Sequence, residues 1–325
     1  MTALRARDAG SPRLVFQLLV YPVVDLTDDS PSMREFGEGH FLTREALEYF
    51  ARLYLAEPRD RTHPHVSPLL TVLPAVLAIL AIAAVCAVPL LTARYPEMQI
   101  EDSYAVQRIW AERQVEAGRT KVGHKIGLTS KAMQEATGID EPDYGVIFDD
   151  QVVESGHVYE WARYTHPRIE MELAFVLKED LAGPGVNLFD VLRATEYVVP
   201  ALEVLDSRIE MEGRTIVDTI SDNAALGSMV IGGRPVAPDA VDLRWVAGAL
   251  WRNQEIIETG VASGVLNHPA NGVHWLANRI AGHGDRLEAG EIILAGSFTR
   301  PMWVYAGDTV YADYGQLGTI TCRFA

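Results

Sequence analysis

A long stretch without charged residues divides this chain of 325 residues into two unlike parts. No Asp, Glu, Lys or Arg occurs from residue 66 to residue 93, and the middle of this stretch reads LPAVLAILAIAAVCAVPLL. The length would be enough to cross a bilayer, which takes about 20 apolar residues. However, Pro74 and Pro89 bracket the most apolar part, and apolar segments of about 10–14 residues are more often buried in a protein core. The sequence leaves both interpretations open and favours the buried one over membrane contact.

Composition excludes several classes of protein. Hydrophobic residues make up 48% of the chain and charged residues 22%, which is ordinary for a globular protein. The net charge of −16 and the lack of a basic cluster argue against a nucleic-acid partner. Cys86 and Cys322 are the only cysteines, which excludes a disulfide framework and suits a reducing cytoplasm. We expect no secretory signal, because the first ten residues lack an apolar core.

The part before the charge-free stretch predicts a strand over residues 14–24 and a helix over residues 43–55. The runs FQLLVYPVVDLT, FLTREALEYF and SPLL resemble the region after the nucleophile in the hormone-sensitive-lipase branch of the α/β-hydrolases. No G-x-S-x-G sequence occurs in the chain, so the strained turn that exposes a nucleophilic serine is missing. We interpret residues 1–74 as a truncated α/β-hydrolase-like fragment and residues 75–93 as an apolar linker.

Short strands dominate the part that follows. Apolar spacing predicts a helix over Ile100–Glu116, and alternation predicts a strand over Arg168–Leu177. Further strands are predicted at residues 198–205, 291–295, 302–305, 309–312 and 318–324, and further helices at 190–195, 243–252 and 273–280. Many short strands with few helices between them indicate an α+β fold with a β-rich core.

Two glutamates on the predicted strand RIEMELAFVL are the first candidates for a functional site. Glu170 and Glu172 are two residues apart, so both side chains project from the same face of the strand. Glu203 lies on a later predicted strand, in VVPALEVLDSR. Like charges near a core are costly unless a cation or protons compensate them, and three carboxylates suit Mg²⁺ or Mn²⁺. The alternative is a pair of acids on a solvent-facing strand, which the pattern alone does not exclude.

A second candidate is the run GHKIGLTS, followed by EPDYG. Lys125 stands between apolar and glycine neighbours, so we expect a partly desolvated lysine whose lowered pKa would suit proton transfer. The glycines permit close approach of a ligand, and Thr129 and Ser130 offer hydroxyl and N–H groups to a carboxylate. The alternative is an ordinary surface lysine followed by a Pro-Asp turn.

Residues 94–325 resemble the hydratase/decarboxylase branch of the fumarylacetoacetate hydrolase superfamily. The likeness rests on the runs GHKIGLTSKAMQ, DEPDYG, PRIEMELAFVL, FDVLRATEYVVPALEVLDSR, ETGVASGVLNHPANGVHWLAN and AGSFTRP. It implies a mixed, β-rich, barrel-like core with peripheral helices, usually assembled into a closed homo-oligomer. It also implies addition of water to a small 2-oxo-4-enoate during the degradation of aromatic compounds, with decarboxylation as the related alternative.

The resemblance also implies roles for individual residues. Glu170, Glu172 and Glu203 would hold a divalent cation, Mg²⁺ or Mn²⁺, and Lys125 and Asp143 would be the acid/base pair at the reacting centre. Relatives often place a lysine just before the aspartate that corresponds to Asp218. Thr215 and Val217 precede it in this chain, where Arg214 could substitute.

The run GSFTRP joins two predicted strands and resembles that of relatives that act on a seven-carbon dicarboxylate rather than a five-carbon monoacid. We predict that Ser297 and Arg300 bind substrate together with Thr129 and Ser130. Arg300 would receive the remote carboxylate through its bidentate fork. The alternative is a surface arginine paired with an aspartate. Two other interpretations of the whole chain are an esterase, which the missing nucleophile argues against, and a non-catalytic fusion product.

Overall fold

The structure is a computed structural model, and it describes residues 87–130, 134, 139 and 141–325. These residues belong to one compact unit. The strand predicted at 14–24, the helix predicted at 43–55 and most of the charge-free stretch lie outside the described residues. Within the described part, no helix is long and apolar enough to cross a membrane.

The helices begin at residues that suit a helix N-terminus. Ile100–Glu116 follows Gln99, whose N–H donates to the Asp102 carboxylate at 2.9 Å, and His268 Nδ1 accepts from Ala270 N at the start of Pro269–Ala281. The described α-helices are α1 Leu91–Arg94, α2 Ile100–Glu116, α3 Leu188–Ala194, α4 Ile216–Ser221 and α5 Pro269–Ala281. The predicted helices at 100–116, 190–195 and 273–280 are thus confirmed, the last two with shifted ends.

The strands form two sheets. They are β1 Lys121–Gly127, β2 Asp143–Phe148, β3 Val152–Glu154, β4 His157–Tyr159, β5 Arg168–Leu177, β6 Thr195–Leu205, β7 Leu226–Ile231, β8 Ala247–Arg252, β9 Glu255–Val261, β10 Ile292–Ser297, β11 Met302–Trp303, β12 Thr309–Asp313 and β13 Thr319–Phe324. The larger sheet runs β2-β1-β10-β5-β6-β7-β3, with β11 added beside β5, and the smaller runs β4-β13-β12-β8-β9. The predicted β-rich α+β fold is confirmed, although neither sheet closes into a barrel in the described part of the chain.

The central strands β5 and β6 are buried along most of their length. On one face of β5, Ile169, Met171, Leu173 and Phe175 are at most 1% exposed and belong to the main hydrophobic core. The opposite face continues from Ala174 into a second apolar cluster. Since this second face also carries the glutamates of the sequence RIEMEL, the fold places acidic side chains in the protein interior.

The helix predicted over residues 243–252 is wrong. Leu243–Trp245 forms a short 3₁₀ turn, and Ala247–Arg252 is strand β8, which pairs with both β9 and β12. Asn253, at a φ of 58°, turns the chain from β8 into β9. The helical propensity of the Ala and Leu residues is small, so pairing with two neighbouring strands outweighs it.

The end of the charge-free stretch is part of the compact unit. Val88 N donates to Arg208 O at 2.7 Å, and Leu91 is 3% exposed. Thr92 donates from its backbone N and its Oγ1 to the two oxygens of Asp218, at 3.0 and 2.8 Å. Asp218 also accepts from Thr215 N, so its carboxylate joins α4 to this segment. The domain boundaries at residues 74 and 93 stay predictions.

Candidate active site

Three glutamates meet on the larger sheet. Glu170 and Glu172 project from the same face of β5, and Glu203 on β6 is the direct antiparallel partner of Glu170. One carboxylate oxygen from each lies within 4.8 Å of the others. Glu172 and Glu203 are 0% exposed and Glu170 is 8% exposed. The strand register therefore concentrates three carboxylates in the protein interior.

Three oxygens of these carboxylates are buried without a hydrogen-bond partner among the described residues. Glu172 Oε2 accepts from Gly296 N at 2.8 Å, but Glu172 Oε1 and both oxygens of Glu203 accept no hydrogen bond. Burial and the charge of Glu203 raise the pKa of Glu170 to about 8, and the same causes raise the pKa of Glu172 well above its usual value. A buried all-oxygen ligand set with excess negative charge fits a hard divalent cation. Glu170, Glu172 and Glu203 are therefore the residues that would hold one.

The backbone N–H of Gly296 contacts Glu172 in a conformation that requires glycine. Its φ of +114° is a conformation that side chains rarely adopt, and a Cβ there would lie 2.1 Å from Thr129 Oγ1. The β10 strand is irregular between Leu294 and Ser297, which brings this backbone N–H onto the carboxylate. The glycine of the AGSFTRP sequence thus holds one oxygen of Glu172 in place.

Lys125 lies beside this cluster and is 2% exposed. Its Nζ is 3.1 Å from Glu203 Oε1, an ion pair whose angles fall outside those of a hydrogen bond. Burial alone would lower the pKa of Lys125, but Glu203, Asp143 and the other two glutamates together raise it above its usual value. The predicted lowering of this pKa is therefore wrong, because the sequence did not show that carboxylates surround the lysine on several sides.

Asp143 stands opposite Gly127 in the antiparallel pair of β1 and β2. A Cβ on Gly127 would lie 2.2 Å from Asp143 Oδ1 and 3.2 Å from Lys125 Nζ. Asp143 is 1% exposed, neither of its oxygens accepts a well-aligned hydrogen bond from the described residues, and burial raises its pKa against the effect of Lys125. The absence of a side chain at residue 127 therefore makes room for Asp143 and Lys125 to lie close together.

A cavity of about 420 Å³ opens beside these groups, within the usual range for small-molecule sites. The polar and charged side chains that line it are Lys125, Thr129, Ser130, Asp143, Arg168, Glu170, Arg214, Thr219 and Ser297. The structure thus brings both predicted catalytic residues and three of the four predicted substrate-binding residues to one cavity. Ser297 Oγ already donates to Thr299 O at 2.8 Å, within the turn after β10.

The structure does not bring Arg300 to this cavity. Its side chain is 78% exposed, and its guanidinium pairs with both oxygens of Glu258 on β9, at 3.0 and 3.1 Å. The predicted contact between Arg300 and a substrate carboxylate is not made here, because a nearer acid on the neighbouring sheet takes up the guanidinium. The alternative interpretation, an exposed arginine paired with Asp308 or Asp313, is wrong about the partner, which is a glutamate.

Sequence reasoning missed one cationic residue of the cavity and underrated another. Arg168 is two residues before Glu170, so the same alternation that pairs the glutamates also places this arginine on their face. That signal was present in RIEMEL. Arg214 was considered only as a replacement for a lysine, and the structure places it on the cavity wall.

Comparison with known proteins agrees with this architecture. Residues 115–325 match the family described as fumarylacetoacetate (FAA) hydrolase C-terminal. The chain belongs to the fumarylacetoacetate hydrolase family. Residues 1–90 match the family described as alpha/beta hydrolase fold. Both resemblances inferred from the sequence are therefore confirmed.

Among relatives of this fumarylacetoacetate hydrolase family member, 2-oxo-hept-4-ene-1,7-dioate hydratase of Escherichia coli is 55% identical over 236 residues, 71% of this chain and 88% of the relative. A 2-keto-4-pentenoate hydratase of Paraburkholderia xenovorans (strain LB400) is 38% identical over 230 residues, 71% of this chain and 86% of the relative. The solved structure of 4-oxalocrotonate decarboxylase from Pseudomonas putida G7, complexed with magnesium and adipate, is 35% identical with a TM-score of 0.76, covering 78% of this chain and 97% of that one.

Proposed function

We propose that this chain is a divalent-metal-dependent hydro-lyase that adds water to a 2-oxo-4-enoate, with 2-oxo-hept-4-ene-1,7-dioate as its substrate. The observation that carries the proposal is the buried cluster of Glu170, Glu172 and Glu203. It lies beside Lys125 and the cavity, and three of its oxygens are buried without a hydrogen-bond partner among the described residues. The identity of 55% to a hydratase of this substrate supports the choice of reaction and of chain length.

The three glutamates would hold the cation, and we propose Mg²⁺, with Mn²⁺ as the alternative. Both ions favour oxygen ligands, and a solved relative is complexed with magnesium. When bound, such an ion supplies the Lewis-acid charge that stabilises negative charge on the substrate's 2-oxo group. The protein's own contribution is to hold the carboxylates together before the ion arrives, in a part of the sheet where water is largely excluded.

Lys125 and Asp143 would move the protons. Hydration first requires a proton to leave C3 and another to reach C5. This shifts the double bond from C4–C5 to C3–C4, where it is conjugated with the 2-oxo group. Water then adds at C4, and C3 takes up a proton, giving the 4-hydroxy-2-oxo acid. Both residues line the cavity and lie within reach of each other across Gly127, so they can act as a coupled acid/base pair.

The test is a spectrophotometric assay of the purified chain on the five-carbon monoacid and the seven-carbon diacid. We expect absorbance loss that stops on chelation and returns with Mg²⁺ or Mn²⁺, with the 4-hydroxy-2-oxo acid as product. Release of CO₂ from 4-oxalocrotonate instead would show that the chain is a decarboxylase. This is the alternative function, and it is supported by the likeness to the solved 4-oxalocrotonate decarboxylase. Turnover that survives exhaustive chelation would contradict metal dependence.

Assembly into a closed homo-oligomer is also proposed, on the family resemblance alone. Size-exclusion chromatography with light scattering on the purified chain tests it, and a monomer at working concentrations would contradict it.

A further inference from the structure

One wall of the cavity carries a buried arginine without a carboxylate partner among the described residues. Arg168 is 8% exposed, and its Nε donates no hydrogen bond to any described residue. Its guanidinium carbon lies 5.4 Å from the centroid of the Trp303 ring, which positions the side chain by a cation–π contact. A buried guanidinium without a carboxylate at ion-pair distance is costly, and an anion bound in the cavity would reduce that cost.

A second arginine faces the same space. Arg214 lines the cavity, and the one hydrogen bond that its side chain donates to a described residue runs from Nη1 to Ser207 Oγ, at 2.9 Å. Arg168 and Arg214 therefore line the same cavity. Neither forms an ion pair with a carboxylate of the described residues. Two guanidinium groups that line one cavity and have no carboxylate partner among the described residues can bind a carboxylate through several charge-assisted hydrogen bonds.

The position of this pair relative to the glutamates defines what it can bind. Arg168 and Glu170 are on the same face of β5, separated by about 7 Å along the strand. A substrate whose 2-oxo acid end lies at the glutamates can therefore reach Arg168 with its other end. A five-carbon monoacid has no charged group to place there, whereas a seven-carbon diacid does.

We propose that Arg168 and Arg214 receive the remote carboxylate of a dicarboxylate substrate and so determine the preference for the diacid over the monoacid. The substrate assignment rests on the proposed hydratase function. Arg300 cannot take this role in the observed arrangement, because it is exposed and already paired with Glu258.

The test uses two saturated ligands that cannot be hydrated, 2-oxoheptanedioate and 2-oxoheptanoate, titrated calorimetrically into the full chain with Mg²⁺ present. They differ by one carboxylate at the far end. We expect wild-type protein to bind the diacid more tightly. Arg168→Gln and Arg214→Gln should each reduce that preference on the order of tenfold or more while the monoacid affinity changes little, the fold-change expected for one charge-assisted contact.

Two exposed arginines serve as controls. Arg300→Gln removes the competing candidate, and Arg286→Gln removes a surface arginine that pairs with Asp180. Both should keep the preference for the diacid. If Arg168→Gln does not fold, Arg168→Lys and Arg214→Gln carry the test, and the lysine variant should retain only part of the preference because it lacks the fork.

The proposal is overturned if wild type binds both ligands equally, if the arginine variants weaken both ligands equally, or if the preference is lost in Arg300→Gln instead. Because neither ligand is turned over, the outcome is independent of catalysis. A preference that depends on Arg168, found in a protein without hydratase activity, would refute the proposed function and leave this inference standing. Hydratase activity without that preference would refute the inference alone.

Discussion

Glu170 and Glu203 face each other directly across the antiparallel pair of β5 and β6. Like charges in such opposed positions destabilise a sheet, and burial increases the cost. Lys125, from strand β1 of the same sheet, is the one cation within ion-pair distance of the cluster among the described residues, against four acids when Asp143 and Glu172 are counted. The observed arrangement is therefore stable only if protons or a cation balance the charge of the carboxylates.

Glu172→Gln should abolish divalent-metal binding and turnover together. The amide keeps the shape of the side chain but removes one of three negative charges from the cluster. Calorimetric titration with Mg²⁺ and with Mn²⁺ measures the first effect, and the hydration assay measures the second. Glu291→Gln is the matched control, because Glu291 is also buried but pairs with Lys121 and His124 away from the cluster. Metal binding unchanged in Glu172→Gln would show that the glutamates serve another purpose.

Without a divalent cation, stability should fall as pH rises. Glu170 has its usual pKa of 4.5 in the unfolded chain and about 8 in the folded one. Between these values the folded state binds the extra proton, so the free energy of unfolding decreases with increasing pH and the loss is complete above about pH 8. Thermal melts in chelator at about pH 6 and about pH 8 measure this slope.

Two comparisons identify the source of that slope. Glu170→Gln should flatten it, because the amide does not titrate. Saturating Mg²⁺ should raise the melting temperature most at the higher pH, where protons no longer compete for the carboxylates. Identical slopes in wild type and Glu170→Gln would assign the pH dependence to other groups.

Gly127→Ala should impair catalysis strongly. The added Cβ would lie 2.2 Å from Asp143 Oδ1 and 3.2 Å from Lys125 Nζ, so the carboxylate must leave its observed position beside the lysine. Overpacking of this kind costs about 1–3 kcal/mol of stability, and we expect a loss of at least about tenfold in kcat from the displaced pair. Gly264→Ala is the control, since a Cβ there meets nothing within 4 Å. Full activity of Gly127→Ala would mean that Asp143 does not need its observed position.

The stability of a protein truncated at its N-terminus should depend on whether residues 87–94 are kept. Deletion of residues 1–86 should leave metal binding and turnover intact, because none of the proposed site residues lies there. Deletion of residues 1–94 also removes Val88, Leu91 and Thr92, and with them the contacts to Asp218, so the melting temperature should be lower. Equal stability of the two truncated proteins would contradict this role for Thr92.

Local patterns were sufficient for part of the site. Alternation in RIEMELAFVL predicted strand β5 over its full length, and with it the placement of Glu170 and Glu172 on one face. The same alternation places Arg168 on the face of the two glutamates, so its position near the site could also have been predicted from the sequence. Periodicity likewise predicted α2 to the residue, because both patterns depend on neighbours a few positions apart.

What remained undetermined in the sequence depends on contacts between distant residues. The register between β5 and β6 places Glu203 opposite Glu170, and the pairing of β1 with β2 places Asp143 across Gly127 from Lys125. The pKa of Lys125 is raised by the combined charge of acids that lie on other strands. In the same way, pairing with β9 and β12 made residues 247–252 a strand. The sequence by itself determined which side chains share a strand face and which family the chain resembles. Only the tertiary structure decided which faces meet, because burial and Coulomb interactions depend on distance in space rather than along the chain.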